Sequence, residues 1–576
     1  MLDENNDVVA VTSAGTTPVA EGFTARMPLV AAAASAALLS ACGGGGGGGS
    51  QSPTPPDNTP PANTGGGVIS AQQASRFLMQ ASMGATHDQI TRVQALGYAG
   101  WIDEQMALPL SMSCWDWLMA KGYNAATNMN TENGFDSAIW RKLIYSTDTL
   151  RQRVTLALSE IFVVSIDGLV GAGWRAFSAA AYVDLLAANC FGNYRKLLET
   201  ISTSAPMGQY LTFRGNLKYD PKTGALPDEN YAREIMQLFS IGLLKLNADG
   251  TPALANGAPQ ETYGLNDITG LARVFTGWDF DLTVSKTDTP DFLRRPMIQI
   301  AARHETGAST FLGNTVPAGL TGEQSLKAAL DIIFAHPNVA PFISRQLIQR
   351  LVTSNPSPAY VQRISAIFLN DGQGVKGSLG AVIKAILLDD EARNTSIASS
   401  PQFGKLREPV LRFTNWARAY NISSASDLWN IGNTSDTASR LGQSPLRSPS
   451  VFNFFRPGYV PPNTAIAAAT LVAPEFQITN ESTVVGYVNF MQRIVSQGNS
   501  DLVPDYSSLL PLAENERTLL NEINLVLAAG QLSDATLSQL STAISSMPVG
   551  TDAKRYNRIY AALTLVLASP EFIVQK

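Results

Sequence analysis

The stretch Pro227–Gly242, PDENYAREIMQLFSIG, carries the strongest helical pattern in the chain, and the rest is read outward from it. Asp228 can cap the helix, because a short carboxylate accepts from the unpaired N–H groups of the first turn and sits at the positive end of the dipole. Tyr231, Ala232, Ile235, Met236, Leu238 and Phe239 recur at three- and four-residue spacing and form a stripe wide enough to be buried. Gly242 suits the far end, since it takes the left-handed conformation without a Cβ clash. The opposite ribbon holds Glu229, Asn230, Arg233, Glu234 and Gln237, with Glu229 and Arg233 four apart in the favourable order. Two readings follow: a solvated face with one ordinary ion pair, or the wall of a cleft.

On either side the helical period continues. Ser70 to Met83, Asp88 to Leu96 closed by Gly97, and a helix beginning at Trp101 precede the apolar run Arg151 to Ser165, RQRVTLALSEIFVVS, read as a helix on its length. Downstream, Asn266 to Phe275, Ser325 to Ala335, Pro341 to Val352, Pro358 to Leu369, Ser378 to Leu388, Glu408 to Tyr420, Asn515 to Ala529, Ser533 to Ser546 and Lys554 to Ala568 repeat the pattern. Alternation near Met297 to Ala301 and Thr310 to Leu312 predicts one small hairpin. Pro445 to Pro462, rich in Pro, Phe and Asn, reads as an ordered loop around the core. The expected fold is mainly α: a large multi-helix globular domain over 68–576 with a small β-hairpin insert, in one lobe or two.

The start of the chain differs in kind. Arg26 precedes Met27–Ala41, an apolar, alanine-rich run with the length of a signal-peptide core and too short to cross a bilayer as a folded helix. Leu39-Ser40-Ala41-Cys42 resembles a lipobox, which makes 1–41 a lipoprotein-type signal peptide and Cys42 the lipidation site. The alternative is a plain secretory signal with Cys42 incidental. Seven glycines and then Ser, Pro, Thr and Asn fill 43–67, a composition that cannot bury enough surface to offset its chain entropy and reads as a tether. Gly43 after the cysteine points to the outer membrane in a Gram-negative host, with the membrane itself the first partner.

Composition removes several functions. The 576 residues carry a formal charge of -6 and no basic run, which excludes nucleic acid as a partner. There is no Walker loop, no G-x-G-x-x-G after a strand and no G-x-S-x-G elbow. Three cysteines are too few for a disulfide framework, and Cys114 and Cys190 lie in apolar stretches that suit buried thiols. With only His87, His304 and His336, a zinc site built from several histidines is excluded as well. His87 reads as a cap or surface residue and His336 as a helix C-terminal one. His304, beside Glu305 in a Gly- and Thr-containing loop, is either a proton-transfer or metal-binding imidazole or a pin for the loop. Glu160 is a lone acid in an apolar run, where an unpaired carboxylate is costly, so an arginine partner is expected, with Arg153 and Arg233 the candidates.

Dispersed motifs point to kinship. Arg76-Phe77-Leu78 with Gln80 to Gly84, the Pro227–Gly242 helix, Ala272-Arg273 with Phe275-Thr276-Gly277-Trp278, His304 with Gly307 and Phe311-Leu312-Gly313, Pro449 to Phe452, and Ala568 to Phe572 occur in one order. Together they resemble the family catalogued as domain of unknown function 1800, over roughly Ile69 to Lys576. The resemblance implies a large, exported, mostly helical bacterial protein with no agreed activity, often encoded beside an alkaline-phosphatase-like exported protein, a partner by that association. Many members carry Trp-His-Asn-His-Phe where this chain has Leu158, Ser159, Glu160, Ile161 and Phe162. Any proton-transfer or metal role of those histidines is therefore lost here or passes to Glu160.

Two functions stand at this level. One is an exported, lipid-anchored binding or assembly factor of the cell envelope. The other is a hydrolase acting on an envelope or extracellular polymer, with Glu229, Glu234, His304 and Glu160 as catalytic candidates. Asn230, Arg233 and Trp278 would bind substrate, and Asp279 with His304 would hold a divalent cation, since carboxylate oxygens and imidazole suit a hard ion. Both depend on the acids of 227–242 and His304 sharing one hollow.

Overall fold

Residues 68–499 and 501–576 are described by a computed structural model. The expected signal peptide and tether and the expected lipidation at Cys42 lie outside the described residues. Within them the chain forms 23 α-helices and five two-stranded sheets, and one continuous buried cluster runs from Ala74 to Phe572. No helix among the described residues is long and apolar enough to cross a membrane.

Local chemistry sets the helix limits. Ser70 and Gln73 form a reciprocal capping box at Ala71–Ala81, satisfying two otherwise orphaned N–H groups. The expected second and third helices are one run, His87–Ala107, kinked at Gly97 with φ +72°. The run 151–165 is helical only over Thr149–Ser159, nearly all of it buried. Glu160 caps it, and Ile161 to Val164 leave the helix and remain buried.

The organising helix is shorter than its pattern, Asn230–Gln237 with Glu229 in the N-cap position. Asp228 still serves the first turn, accepting from the Asn230 N–H at 2.7 Å. Beyond Leu238 the ladder widens: the Ile241 and Gly242 N–H groups, five and six residues on, both donate to the Met236 carbonyl, and Gly242 takes φ +72°. A Cβ on Gly242 would lie 2.7 Å from the Phe342 ring, so the bare backbone is what lets the two segments meet. Tyr231 fixes the apolar face, with its ring 4.2 Å from Phe213 and 4.7 Å from Phe275 and its hydroxyl 2.7 Å from Ser202.

The expected single hairpin is two separate pairings. Ile298–Gln299 pairs with Trp278–Asp279, and Ser309–Phe311 pairs with Asn314–Val316 across the Leu312-Gly313 turn. Alternation over two or three residues identifies a strand but not its mate. Lys405–Leu406 pairs antiparallel with Val574–Gln575, joining remote parts of the chain. Pro445 to Pro462 contains neither helix nor strand, and the Leu446 carbonyl accepts from the Ile166 N–H at 2.9 Å. Cys114 and Cys190 are buried free thiols.

Candidate functional site

The residues expected to converge are dispersed. Glu229 accepts from the Thr269 hydroxyl at 2.7 Å and pairs with Arg233 at 3.5 Å, both side chains partly exposed. Asn230 reaches toward the Leu211 carbonyl. Glu234 is buried, and burial raises its carboxyl above the usual range despite Arg233. Asp279 is held by Arg214 at 3.2 Å and Arg303 at 2.9 Å. Trp278 is buried in its short strand, not on a rim.

His304 is buried between two segments. Its Nδ1 lies 3.1 Å from the Thr276 carbonyl, which fixes the Nδ1–H tautomer and leaves Nε2 to accept from the Ser325 hydroxyl at 3.3 Å. No hydrogen bond or ion pair links it to Glu229, Glu234 or Asp279 among the described residues. None of them forms a group of three or more His, Cys, Asp or Glu arranged to hold a metal ion. The structure gives this imidazole and the acids of 227–242 no shared contact: Glu229, Asp279 and His304 each have their own partners on other segments, and the buried Oε2 of Glu234 has no hydrogen-bond partner among the described residues.

Glu160 is placed differently. It contributes to the floor of a cleft of about 610 Å³ whose walls come from three segments: the far end of the organising stretch (Gln237, Leu238, Gly242 to Leu244), one face of the helix Val339–Leu351, and the loop from Val451 to Gly458. The organising stretch does wall a cleft, but with its apolar end. Leu243, Leu244, Phe342 and Phe452 supply apolar surface, and Arg345, Arg350 and Arg456 supply guanidinium groups. A second hollow of about 410 Å³ lies by Trp115, Asn189 and Arg294. Its polar groups are spent internally: Asp184 accepts from the Cys114 and Trp115 N–H groups, and Arg294 stacks on Trp115.

Beneath the cleft floor is a buried charge network. Arg350, not Arg153 or Arg233, meets the Glu160 carboxyl, Nε to Oε2 at 3.5 Å, and its Nη2 donates to the Glu160 carbonyl at 3.0 Å. That places a cation at a helix C-terminus, where the dipole favours it. Lys405 lies 2.9 Å from Glu475 and 3.7 Å from Glu408, and donates to the Arg350 carbonyl at 2.8 Å. Arg153 is fully buried and also donates to the Arg350 carbonyl. Gln443 donates to Glu408 at 2.8 Å.

The two acids Glu160 and Glu408 shift in opposite directions. Burial, and then the facing Glu408, raise the Glu160 carboxyl well above the carboxylate range, outweighing Arg350 and Lys405. Burial pushes Glu408 up too, but a hydrogen bond from Glu160, Lys405, Arg153 and Gln443 together bring it down to about 2. Arg350 is the one charged side chain in ion-pair contact with the Glu160 carboxyl among the described residues, and neither oxygen of that carboxyl receives a hydrogen bond. Glu475 is raised by burial despite Lys405.

Pattern reasoning found Glu160 but missed Arg350, Glu408, Lys405 and Glu475. The signal it could have used is charge out of place: Arg350 sits in the apolar run of Leu347, Ile348, Leu351 and Val352, and Glu408 and Glu475 each adjoin a proline at the edge of an apolar segment. Such charges are buried only when partnered.

The fold and cleft define a class: a large helical protein whose buried ionic core opens on one amphipathic hollow. Residues 76–574 match the family described as Protein of unknown function (DUF1800), and the chain belongs to that family. No curated protein and no solved structure matches it.

Proposed function

We propose that the chain is an exported, lipid-anchored binding or assembly factor of the cell envelope. Its ligand occupies the Glu160 cleft, Cys42 carries the anchor, and an alkaline-phosphatase-like exported protein is its partner. The observation that carries the binding reading is the state of the one acid in the cleft. Glu160 is the sole carboxylate among the residues lining it, and it is engaged by Arg350 and Glu408. Two-acid hydrolysis needs a second carboxylate reaching the same space, and Glu408 is fully buried behind the first.

A hydrolase remains the second reading on one observation: a carboxylic acid kept protonated beside a cleft is what a general acid requires. The two are separated by incubating the full chain with an envelope extract, re-isolating it, and comparing retained and free molecules by mass spectrometry. A stoichiometric molecule recovered unchanged supports binding. Repeated conversion of an extract component, abolished by Glu160→Gln, overturns it.

A further inference from the structure

The cleft has a charge imbalance that its walls do not correct. Arg350 is almost fully buried and tied to Glu160, Gln346 and the Glu160 carbonyl. Arg345 is half-buried, its one side-chain hydrogen bond among the described residues going to the Gly250 carbonyl at 3.4 Å. Burial, offset by no acid, lowers Arg345 below the ordinary guanidinium range. Since a guanidinium keeps its proton, this marks a charge lacking a counter-ion. Arg456 lies over the Phe452 ring at 4.7 Å, which orients the guanidinium while leaving its edge donors free. Neither Arg345 nor Arg456 has a carboxylate within ion-pair distance among the described residues. Beside these cations the wall is apolar, through Leu238, Leu244, Phe342 and Phe452, and Leu243 stands 55% exposed at the cleft.

We infer that the cleft takes a single-chain anionic amphiphile, its acidic head between Arg345, Arg350 and Arg456 and its hydrocarbon chain along Leu238, Leu243, Leu244, Phe342 and Phe452. The inference rests on the binding reading and names its ligand class. Charge complementarity selects the head, because Arg345 and Arg456 line the cleft with no carboxylate within ion-pair distance among the described residues, and Glu160, the one carboxylate lining it, is paired with Arg350. A planar fork pairs with a carboxylate or a phosphate monoester, so the head chemistry is shared by a fatty acid and a lysophospholipid. The apolar wall selects the tail: a small anion would leave it wet, and a neutral lipid would leave Arg345 uncompensated. About 610 Å³ lies within the range of small-molecule sites.

The test uses the full chain carrying Cys42→Ala, so that no acyl group of its own competes. It is titrated with oleate below the micellar concentration, with lysophosphatidic acid, oleyl alcohol, acetate and inorganic phosphate, each displacing a fluorescent fatty acid. Oleate and lysophosphatidic acid are expected to bind saturably at one per chain, and a preference between them identifies the head. Oleyl alcohol should bind at least tenfold more weakly, and acetate and phosphate should displace nothing. The double substitution R345Q/R456Q, outside the buried network and so expected to fold, should weaken oleate about tenfold or more with its thermal midpoint unchanged. Equal affinity for oleate and oleyl alcohol, or unaltered affinity in R345Q/R456Q, overturns the inference, as does binding only to intact anionic vesicles. An envelope molecule retained unchanged by a chain that ignores oleate refutes the amphiphile and leaves the binding reading standing. Turnover refutes the binding reading itself.

Discussion

Glu160 and Glu408 lie in one buried charge network and shift in opposite directions, burial and Glu408 raising the Glu160 carboxyl while Lys405 and Arg153 help to hold Glu408 low. Neighbouring buried carboxyls disfavour each other's charge, so their shifts are coupled and move apart. Glu160→Gln keeps a neutral donor facing Glu408 and is expected to cost about 1 kcal/mol or less. Glu408→Gln removes a buried acid facing Lys405 and Arg153, leaving Lys405 only Glu475, and should cost about 3–5 kcal/mol. Denaturant unfolding of the two variants checks this, and equal losses would refute the opposite shifts of the two acids.

The same pair sets a pH profile of opposite signs. Glu408 is depressed from 4.5 to about 2 in the folded chain. Between those values the unfolded chain binds the extra proton, so stability is lost as pH falls from 4.5 toward 2. Glu160 is raised, so above 4.5 the folded chain holds the extra proton. Its contribution, complete below 4.5, is lost as pH rises through the folded value, by up to about 1.4 kcal/mol per pH unit. Glu160→Gln should flatten the alkaline limb and leave the acid limb. Unfolding midpoints measured across pH for both proteins would show an unflattened limb if another group were responsible.

His304 joins the Thr276 carbonyl to Ser325 and faces no cleft residue. His304→Ala should therefore lower stability by about 1–3 kcal/mol, through partners left unsatisfied, while ligand retention by the folded variant stays at the wild-type level. Lost retention with stability intact would return this imidazole to the site.

Glu229 and Arg233 form a half-solvated pair at 3.5 Å. A double-substitution cycle to alanine should give a coupling of about 0.5 kcal/mol or less, falling with salt. A coupling above about 2 kcal/mol would mean that this face is desolvated by something bound to it.

Gly270 is where the helix Leu265–Ala272 meets the strand Ser309–Phe311. A Cβ there would lie 2.0 Å from the Thr310 carbonyl oxygen, an atom that cannot rotate away. Gly270→Ala should cost about 1–3 kcal/mol by overpacking, read as a lowered thermal midpoint. An unchanged midpoint would show that the strand docks loosely.

Periodicity made most helices legible, because a buried stripe at 3.6-residue spacing survives any arrangement of neighbours. Pro358–Leu369 ends where its pattern does. The organising helix stops early because the Phe239, Ile241 and Gly242 N–H groups donate to carbonyls five or six residues back and not four, which apolar spacing does not encode. Glu160 was legible as a charge in an apolar run. Arg350 was not, since its role is set by a contact across the fold. The acids of 227–242 drew attention by clustering in sequence, yet clustering on an exposed helical face is what solvation permits, and Glu229 and Arg233 obey that rule. His304 stood out by scarcity and is a pin between two segments.

The short ladder between Lys405–Leu406 and Val574–Gln575 has a consequence for assembly. It sits beside Lys405, and the Arg407 N–H donates to the Ile573 carbonyl at 2.8 Å. A nascent polypeptide that has not yet supplied positions 573 to 575 therefore holds this edge open, with a lysine beside it that cannot yet be sealed from water. Late closure of so distant a contact makes for slow maturation and a long window of stickiness, in which a chaperone would have to shield the unfinished molecule.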